Sequence, residues 1–348
     1  MQINAAMLKL TTFILILFAS MGNSFCLAEM PDRVLSLSHP GVNWLLQFEL
    51  PNAVEQYNNY KDGAGSYAYG QTIDQRKIFS MAIHNYPGAT DAKSCRDAEL
   101  ANMRKNPQLA SLKIDQSESG ESAYLRTSGT VQFEGRSIFA QNIHRFVFRD
   151  GLCAKVHLSS ILDERAVSTE LEQAVDSMGI KDAVREILRS FHIPPKGALK
   201  LAMPRHWGFQ TSNPSAAAGR TLTIDTPDGH FQFMATVFLA PSEQKGSAEI
   251  VTRKSVEIAR DRALPIAVQT QIDVIPLNGR NAEGHFIFVT DKTLAGKPAV
   301  PNNWKHMRQG MLKIGAAFAT FAVFSNDENS PDALRAMRVL EDVDFAPE

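Results

Sequence analysis

One stretch of this chain is written twice. From residue 152 the sequence runs through alternating apolar positions, a polar turn and an amphipathic segment, and the same succession returns later. Ala154 falls on Ala319 (319 − 154 = 165), and the same step sets Val156 on Phe321, Leu158 on Val323, Ser160 on Ser325, Val175 on Leu340 and Ile180 on Phe345. Trp44 and Trp207 head the two halves at a similar spacing. Solenoid repeats have periods of roughly 20–50 residues, so a period this long is that of a whole domain. The expectation is an α+β chain of two tandem antiparallel-sheet domains, each with an inserted helix and a C-terminal helix packed on the sheet. The first covers 29–185 and the second 198–348. A Pro-rich linker at 186–197 joins them, because Pro194-Pro195 cannot continue a helix. Two unrelated α+β domains with similar endings are the plainer alternative.

Local patterns fill in both halves. Strands are expected at 44–50, 65–72, 77–86, 112–117, 123–133, 137–148 and 152–161, with helices at 91–105 and 165–178. The second half repeats this with strands at 207–210, 220–226, 230–239, 267–276, 282–291 and 307–325, and helices at 242–261 and 331–343. Ser330-Pro331 is a helix start signal, a capping serine with proline at the first helical position. The early tryptophans, the hairpin around Asp228-Gly229 and the ending Phe321-Ala322-Val323-Phe324 through Leu340 to Phe345 together resemble the PsbP-like fold, including its DcrB-like exported members. The resemblance implies a meander with one inserted helix, and a role in binding proteins rather than in chemistry.

The N-terminus reads as an export signal over 1–28. Lys9 is the only charge before Glu29 and precedes an apolar run, Leu10 to Ala19, that is too short for a membrane span of roughly 20 residues. Cys26-Leu27-Ala28 supplies a small-residue cleavage site. Cleavage leaves Cys95 and Cys153, an even pair in an oxidising compartment, and a disulfide between them would close a loop of 58 positions. Two free thiols are the alternative. A net charge of −1 gives no electrostatic reason to expect nucleic acid or an anionic membrane. No later segment has transmembrane length.

Catalytic motifs are sparse. Ser242-Glu243-Gln244-Lys245 matches S-x-x-K without its companion motifs, since Lys292-Thr293 is followed by leucine. Asp163-Glu164 and Asp327-Glu328 precede the closing helices, where negative charge is stabilising. His144 and His157 flank the Asp150-Gly151 turn at comparable distance, and with His84 could share a sheet face, but no spacing is diagnostic of a metal. Neither a metal nor a cofactor is therefore assigned. Tyr57, Tyr60, Tyr67 and Tyr69 cluster among Asn and Gly and read as an interaction surface on a hairpin that the second half lacks, having Asn213-Pro214 and alanines there. The function expected is that of an exported, non-catalytic binding protein, with an envelope protein as partner. A hydrolase with a dispersed site and a small-ligand carrier using the inter-domain cleft are the alternatives.

Overall fold

Period-two burial governs most of this chain. The computed structural model describes residues 34–61, 63–106, 112–133, 136–162, 169–193, 197–212, 219–239 and 247–347. In chain order the elements are β1 (Val34–Ser38), β2 (Trp44–Glu49), β3 (Ala53–Lys61), β4 (Gly65–Thr72), β5 (Lys77–His84), α1 (Ala92–Met103), β6 (Lys113–Ser119), β7 (Ser122–Phe133), β8 (Arg136–Arg149), β9 (Leu152–Leu162), α2 (Thr169–Asp176) and β10 (Gly179–Asp182). There follow β11 (Glu186–Ile193), β12 (Gly197–Pro204), β13 (Gly208–Ser212), β14 (Arg220–Asp225), β15 (Phe231–Leu239), α3 (Ala248–Ala263), β16 (Ile275–Asn278), β17 (Ala282–Thr290), β18 (His306–Ile314), β19 (Ala317–Ser325), α4 (Pro331–Glu341) and β20 (Asp344–Pro347). This is an α+β protein, mostly antiparallel sheet with four α-helices among the described residues.

The sheet layout differs from two separate sheets. A single 14-stranded sheet runs through the molecule, with β3 and β13 paired at its middle. Outward from that seam one arm reads β3-β4-β5-β9-β8-β7-β6 and the other β13-β14-β15-β19-β18-β17-β16. Two three-stranded sheets, β1-β2-β10 and β11-β12-β20, accompany the arms. The seam is narrow: among the described residues Phe209 stands opposite Asn58 and Gln210 opposite Tyr57. Tyr57 faces Tyr69 on its other side, and Gln210 faces Thr223 at the corresponding place. Corresponding residues thus pair with each other, and the corresponding faces of both arms point to the same side of the sheet.

Each side of the sheet has its own cover. On one side Phe79, Met81, Val156 and Leu158 pack with Leu35, Leu46 and Phe48 of the small sheet and with Leu171 and Val175 of α2. In the second arm Phe231, Phe233, Phe321 and Val323 meet Phe191, Leu199 and Leu201, with Val339 and Leu340 of α4. Burying one such side chain stabilises by about 1.5–3 kcal/mol. On the opposite side, α1 brings Cys95 and Leu100 against Ala123, Leu125 and Phe146, while α3 brings Val256 and Ala263 against Ile287, Val289 and Met311. Between these helices lies a floor of half-exposed side chains. Thr221, Thr223 and Asp225 alternate there with the buried Arg220, Leu222 and Ile224.

Several sequence expectations are corrected. Residues 186–193 of the expected linker form strand β11, whose buried Phe191 and Ile193 belong to the second core; 194–196 lie outside the described residues. The span 307–325 is two strands, because Gly315 turns the chain at φ +55°. Of the second half's fourth expected strand, 267–276, only Ile275 and Pro276 lie in a strand, β16. Tyr57 to Tyr69 is a β-hairpin whose counterpart is β13–β14, so it is not an insertion. The helix start at Ser330 is as expected, its side chain accepting from Ala333 N. The export signal, Ser242–Lys245, Asn213-Pro214 and Asp163-Glu164 lie outside the described residues.

Candidate functional site

Alternation on β3 and β4 sorts the four tyrosines. Tyr57 and Tyr69 are cross-strand partners with stacked rings 5.1 Å apart, and Tyr67 lies two residues from Tyr69 on the same face. Tyr60, an odd three positions from Tyr57, lies on the opposite face, where its ring meets His39 edge-on at 5.2 Å. The structure therefore brings together three of the four. All four rings are half-buried. Burial raises the hydroxyl pKa of Tyr57, Tyr67 and Tyr69, helped at Tyr57 by the neighbouring Tyr69 and Asp225 and at Tyr67 by Glu99.

Next to Tyr69 across the ladder stands Ser80, and next to Ser80 stands His157. Ser80 Oγ lies 3.3 Å from His157 Nδ1, and His157 Nε2 lies 3.2 Å from Asn142 Oδ1. Asn142 Nδ2 donates in turn to Thr127 Oγ1 at 3.2 Å. With the amide in this orientation its oxygen accepts from His157 Nε2 and Nδ1 is left to accept from the serine. His157 and His144 are also paired across β8 and β9, their rings stacked at 4.3 Å. Burial, with Lys155 adding repulsion, lowers the His157 pKa to about 4. Burial and the neighbouring His157 push His144 well below its usual value. Both rings are neutral at pH 7.

One step further along the same face, Lys155 Nζ donates to Glu99 Oε1 at 2.6 Å, and the Tyr86 hydroxyl donates to the other carboxylate oxygen. Burial alone would raise the Glu99 pKa, but the Lys155 ammonium holds it well below the usual carboxylate range. His84 packs edge-on to Tyr86 at 4.3 Å, and burial lowers its pKa to about 4. The disulfide Cys95–Cys153, with Cα atoms 5.7 Å apart, ties α1 to β9 beside this cluster. The three histidines thus share a face, yet no group of three or more His, Cys, Asp or Glu side chains among the described residues is arranged to hold a metal.

Chemically, the face presents a polarised hydroxyl, a neutral imidazole and three aromatic rings on rigid strands. The register puts Met234, Ala322, Met307 and Val289 of the second arm where the first has Ser80, His157, Asn142 and Thr127. The whole relay is replaced by apolar groups together. Sequence reasoning found the two histidines from their distance to the Asp150-Gly151 turn. It missed Ser80, Asn142, Thr127 and Glu99, whose only sequence signal is a polar residue at an alternate strand position or on the sheet-facing side of a helix.

No protein family matches the sequence, and no curated protein does. Among solved structures, the immunity protein TplEi of T6SS from Pseudomonas aeruginosa, in complex with an "L" peptide, aligns over 89% of this chain and 97% of its own, at 11% identity and a TM-score of 0.28. A likeness of that size carries no weight for fold or function. No helix among the described residues is long and apolar enough to cross a membrane.

Proposed function

We propose that this chain is an exported binding protein, built as two tandem copies of one PsbP-like α+β unit, that receives a partner protein of the cell envelope on the open floor of its first arm. One observation carries the reading. Tyr57, Tyr67 and Tyr69 stand together on the floor beside Ser80 and His157, where the second arm has Gln210, Thr221 and Thr223. Tyrosine offers rigid amphipathic contact area at low entropic cost, and recognition residues on a rigid sheet are already placed for binding. Identical strand order in the two arms supports duplication. The leader-like N-terminus and the disulfide support export. The test is capture from envelope extract by the wild type and by Y57A/Y67A/Y69A, matched for thermal stability. Loss of the captured protein in the variant is expected; equal capture of the same proteins would overturn the assignment.

A hydrolase is the second reading, favoured by the Ser80–His157–Asn142 contact alone. It requires labelling of Ser80 by a fluorophosphonate that H157A abolishes. An unlabelled Ser80 would dispose of it and leave the binding reading in place.

A further inference from the structure

The seam between the arms also encloses a small recess of about 90 Å³. His39, Asn59 and Tyr60 line it from the first half, and Arg205, His206 and Trp207 line it from the second. Asn59 reaches across because position 208 is glycine; a Cβ there would stand 2.4 Å from the Asn59 amide oxygen. The loop bearing Arg205 is fixed to the first half on both sides. Ser38 Oγ donates to the Arg205 carbonyl at 2.6 Å, and Arg205 Nη1 donates to the Val42 carbonyl at 3.2 Å.

Arg205 is half-buried and has no carboxylate partner among the described residues. The three carboxylates bonded to pocket side chains among the described residues are already engaged: Glu55 accepts from Asn58 Nδ2 at 2.8 Å and pairs with Arg189. Asp225 accepts from Asn59 Nδ2 at 3.1 Å, and Asp332 accepts from His206 Nε2 at 3.0 Å and Trp207 Nε1 at 2.7 Å. A guanidinium carries five N–H donors in a planar fork, and only one is used here. Its natural complement is a planar carboxylate, bound bidentately. Volume sets the scale, since a water occupies roughly 30 Å³ of liquid, so the recess takes about three waters or a group of similar size. The rings of Tyr60 and Trp207 would wall the adjoining carbon.

We propose that this seam recess is a carboxylate-binding site that both halves build around Arg205. A free short-chain carboxylate and the acid group of a peptide share this chemistry. The site is separate from the tyrosine surface, so a failure here leaves that reading untouched.

The experiment is an NMR titration of the ¹⁵N-labelled mature chain with sodium acetate against sodium chloride at equal ionic strength. Two further arms use a tetraglycine with a free C-terminus and its amide, and an N-acetylated, C-amidated Gly-Asp-Gly. Acetate is expected to shift the Trp207 indole N–H and the Gly208 amide saturably, with Kd of about 1–10 mM, leaving the Trp44 indole in place. A response to the free C-terminus but not to its amide assigns a chain end as the peptide source; a response to the aspartyl peptide assigns an acidic side chain. R205Q is expected to weaken acetate binding about tenfold or more, and R205K less, because it keeps the charge without the fork. No saturation below about 0.1 M, shifts that map elsewhere, or wild-type binding in both variants would overturn the site. Should R205Q fold poorly, the wild-type titration and R205K decide.

Discussion

The two arms share a strand order and differ in what lies on one face of it. Between α1 and the seam, the first arm places His84, Lys155, His157, Ser80 and three tyrosines on the floor side. The second places Phe238, Thr320, Ala322, Met234, Thr221, Thr223 and Gln210 at the corresponding positions. Under the helices the contrast is sharper. Cys153 is bonded to Cys95 of α1, whereas Phe318, at the matching place, stacks on Phe238 at 6.2 Å. On the opposite, covered side the arms stay alike: Met81 answers to Ala235, Ile83 to Val237, Val156 to Phe321 and Leu158 to Val323. The lesson is that the covered face is constrained by packing, while the open face is free to carry chemistry in one arm and none in the other.

The largest effect is expected where the arms are locked together. Glu55 of β3 and Arg189 of β11 are buried at 1% and 5% exposure, with Arg189 Nη1 3.1 Å from Glu55 Oε2 and 2.8 Å from the Ser36 carbonyl. Breaking such a pair leaves a buried charge uncompensated, so R189M should destabilise by about 3–5 kcal/mol in urea unfolding. E55L/R189M should recover most of that loss. If R189M instead splits one transition into two without lowering the midpoint of either, the pair joins the arms without stabilising them.

Second in size is the disulfide. Closing a loop of 58 positions stabilises by about 4 kcal/mol in the chain-entropy model, so C95A/C153A should lose an amount of that order. The loss should fall on the first arm, read as faster amide exchange in α1 and β9 than in α3 and β19. Equal acceleration in both arms would break the comparison, since only the first has the link. Mass spectrometry of the unreduced chain should find neither Cys95 nor Cys153 alkylatable.

Acid should also separate the arms. The folded-state pKa of His84 is depressed to about 4 by burial, from an unfolded value of 6.5. Its contribution is therefore fully present above pH 6.5 and is lost as pH falls from 6.5 to about 4. At 1.36 kcal/mol per unit this is of order 3 kcal/mol, and His157 is displaced the same way. Phe238 stands where His84 does, so H84F should flatten part of this slope between pH 6.5 and 4. An unchanged slope would show that His84 does not titrate with unfolding.

Much of this fold was legible in the sequence because strands with one buried face announce themselves by alternation. The ending from Leu152 to Ile180 and its echo from Ala317 onward are such cases. The first helix, expected over 91–105, was also readable, and so was its disulfide partner, from cysteine parity. What was not legible came from contacts distant in sequence. Strand β11 looks like part of a proline-rich linker until Phe191 and Ile193 meet the second core. The pairing of Tyr57 with Tyr69 follows from the register of β3 on β4, which composition does not reveal. The Ser80–His157–Asn142–Thr127 chain draws one residue from each of four strands, and no local window contains it.

The smallest expected effect is the most specific to the comparison. Tyr57 and Tyr69 face each other across β3 and β4, and Gln210 and Thr223 do so at the matching place across β13 and β14. Stacked aromatic partners couple by about 0.5–1.5 kcal/mol beyond the area they bury, while other cross-strand pairs contribute roughly 0.2–1 kcal/mol. A double-mutant cycle of Y57A and Y69A should therefore give a coupling energy near 1 kcal/mol in unfolding free energy. The cycle of Q210A and T223A should give less. Both tyrosines are half-buried, so neither single change should approach the cost of opening a core cavity. A tyrosine pair coupled no more strongly than Gln210 and Thr223 would mean that the stacked geometry is not held in solution. The open floor of the first arm would then lack the pre-organisation on which its use as a binding surface depends.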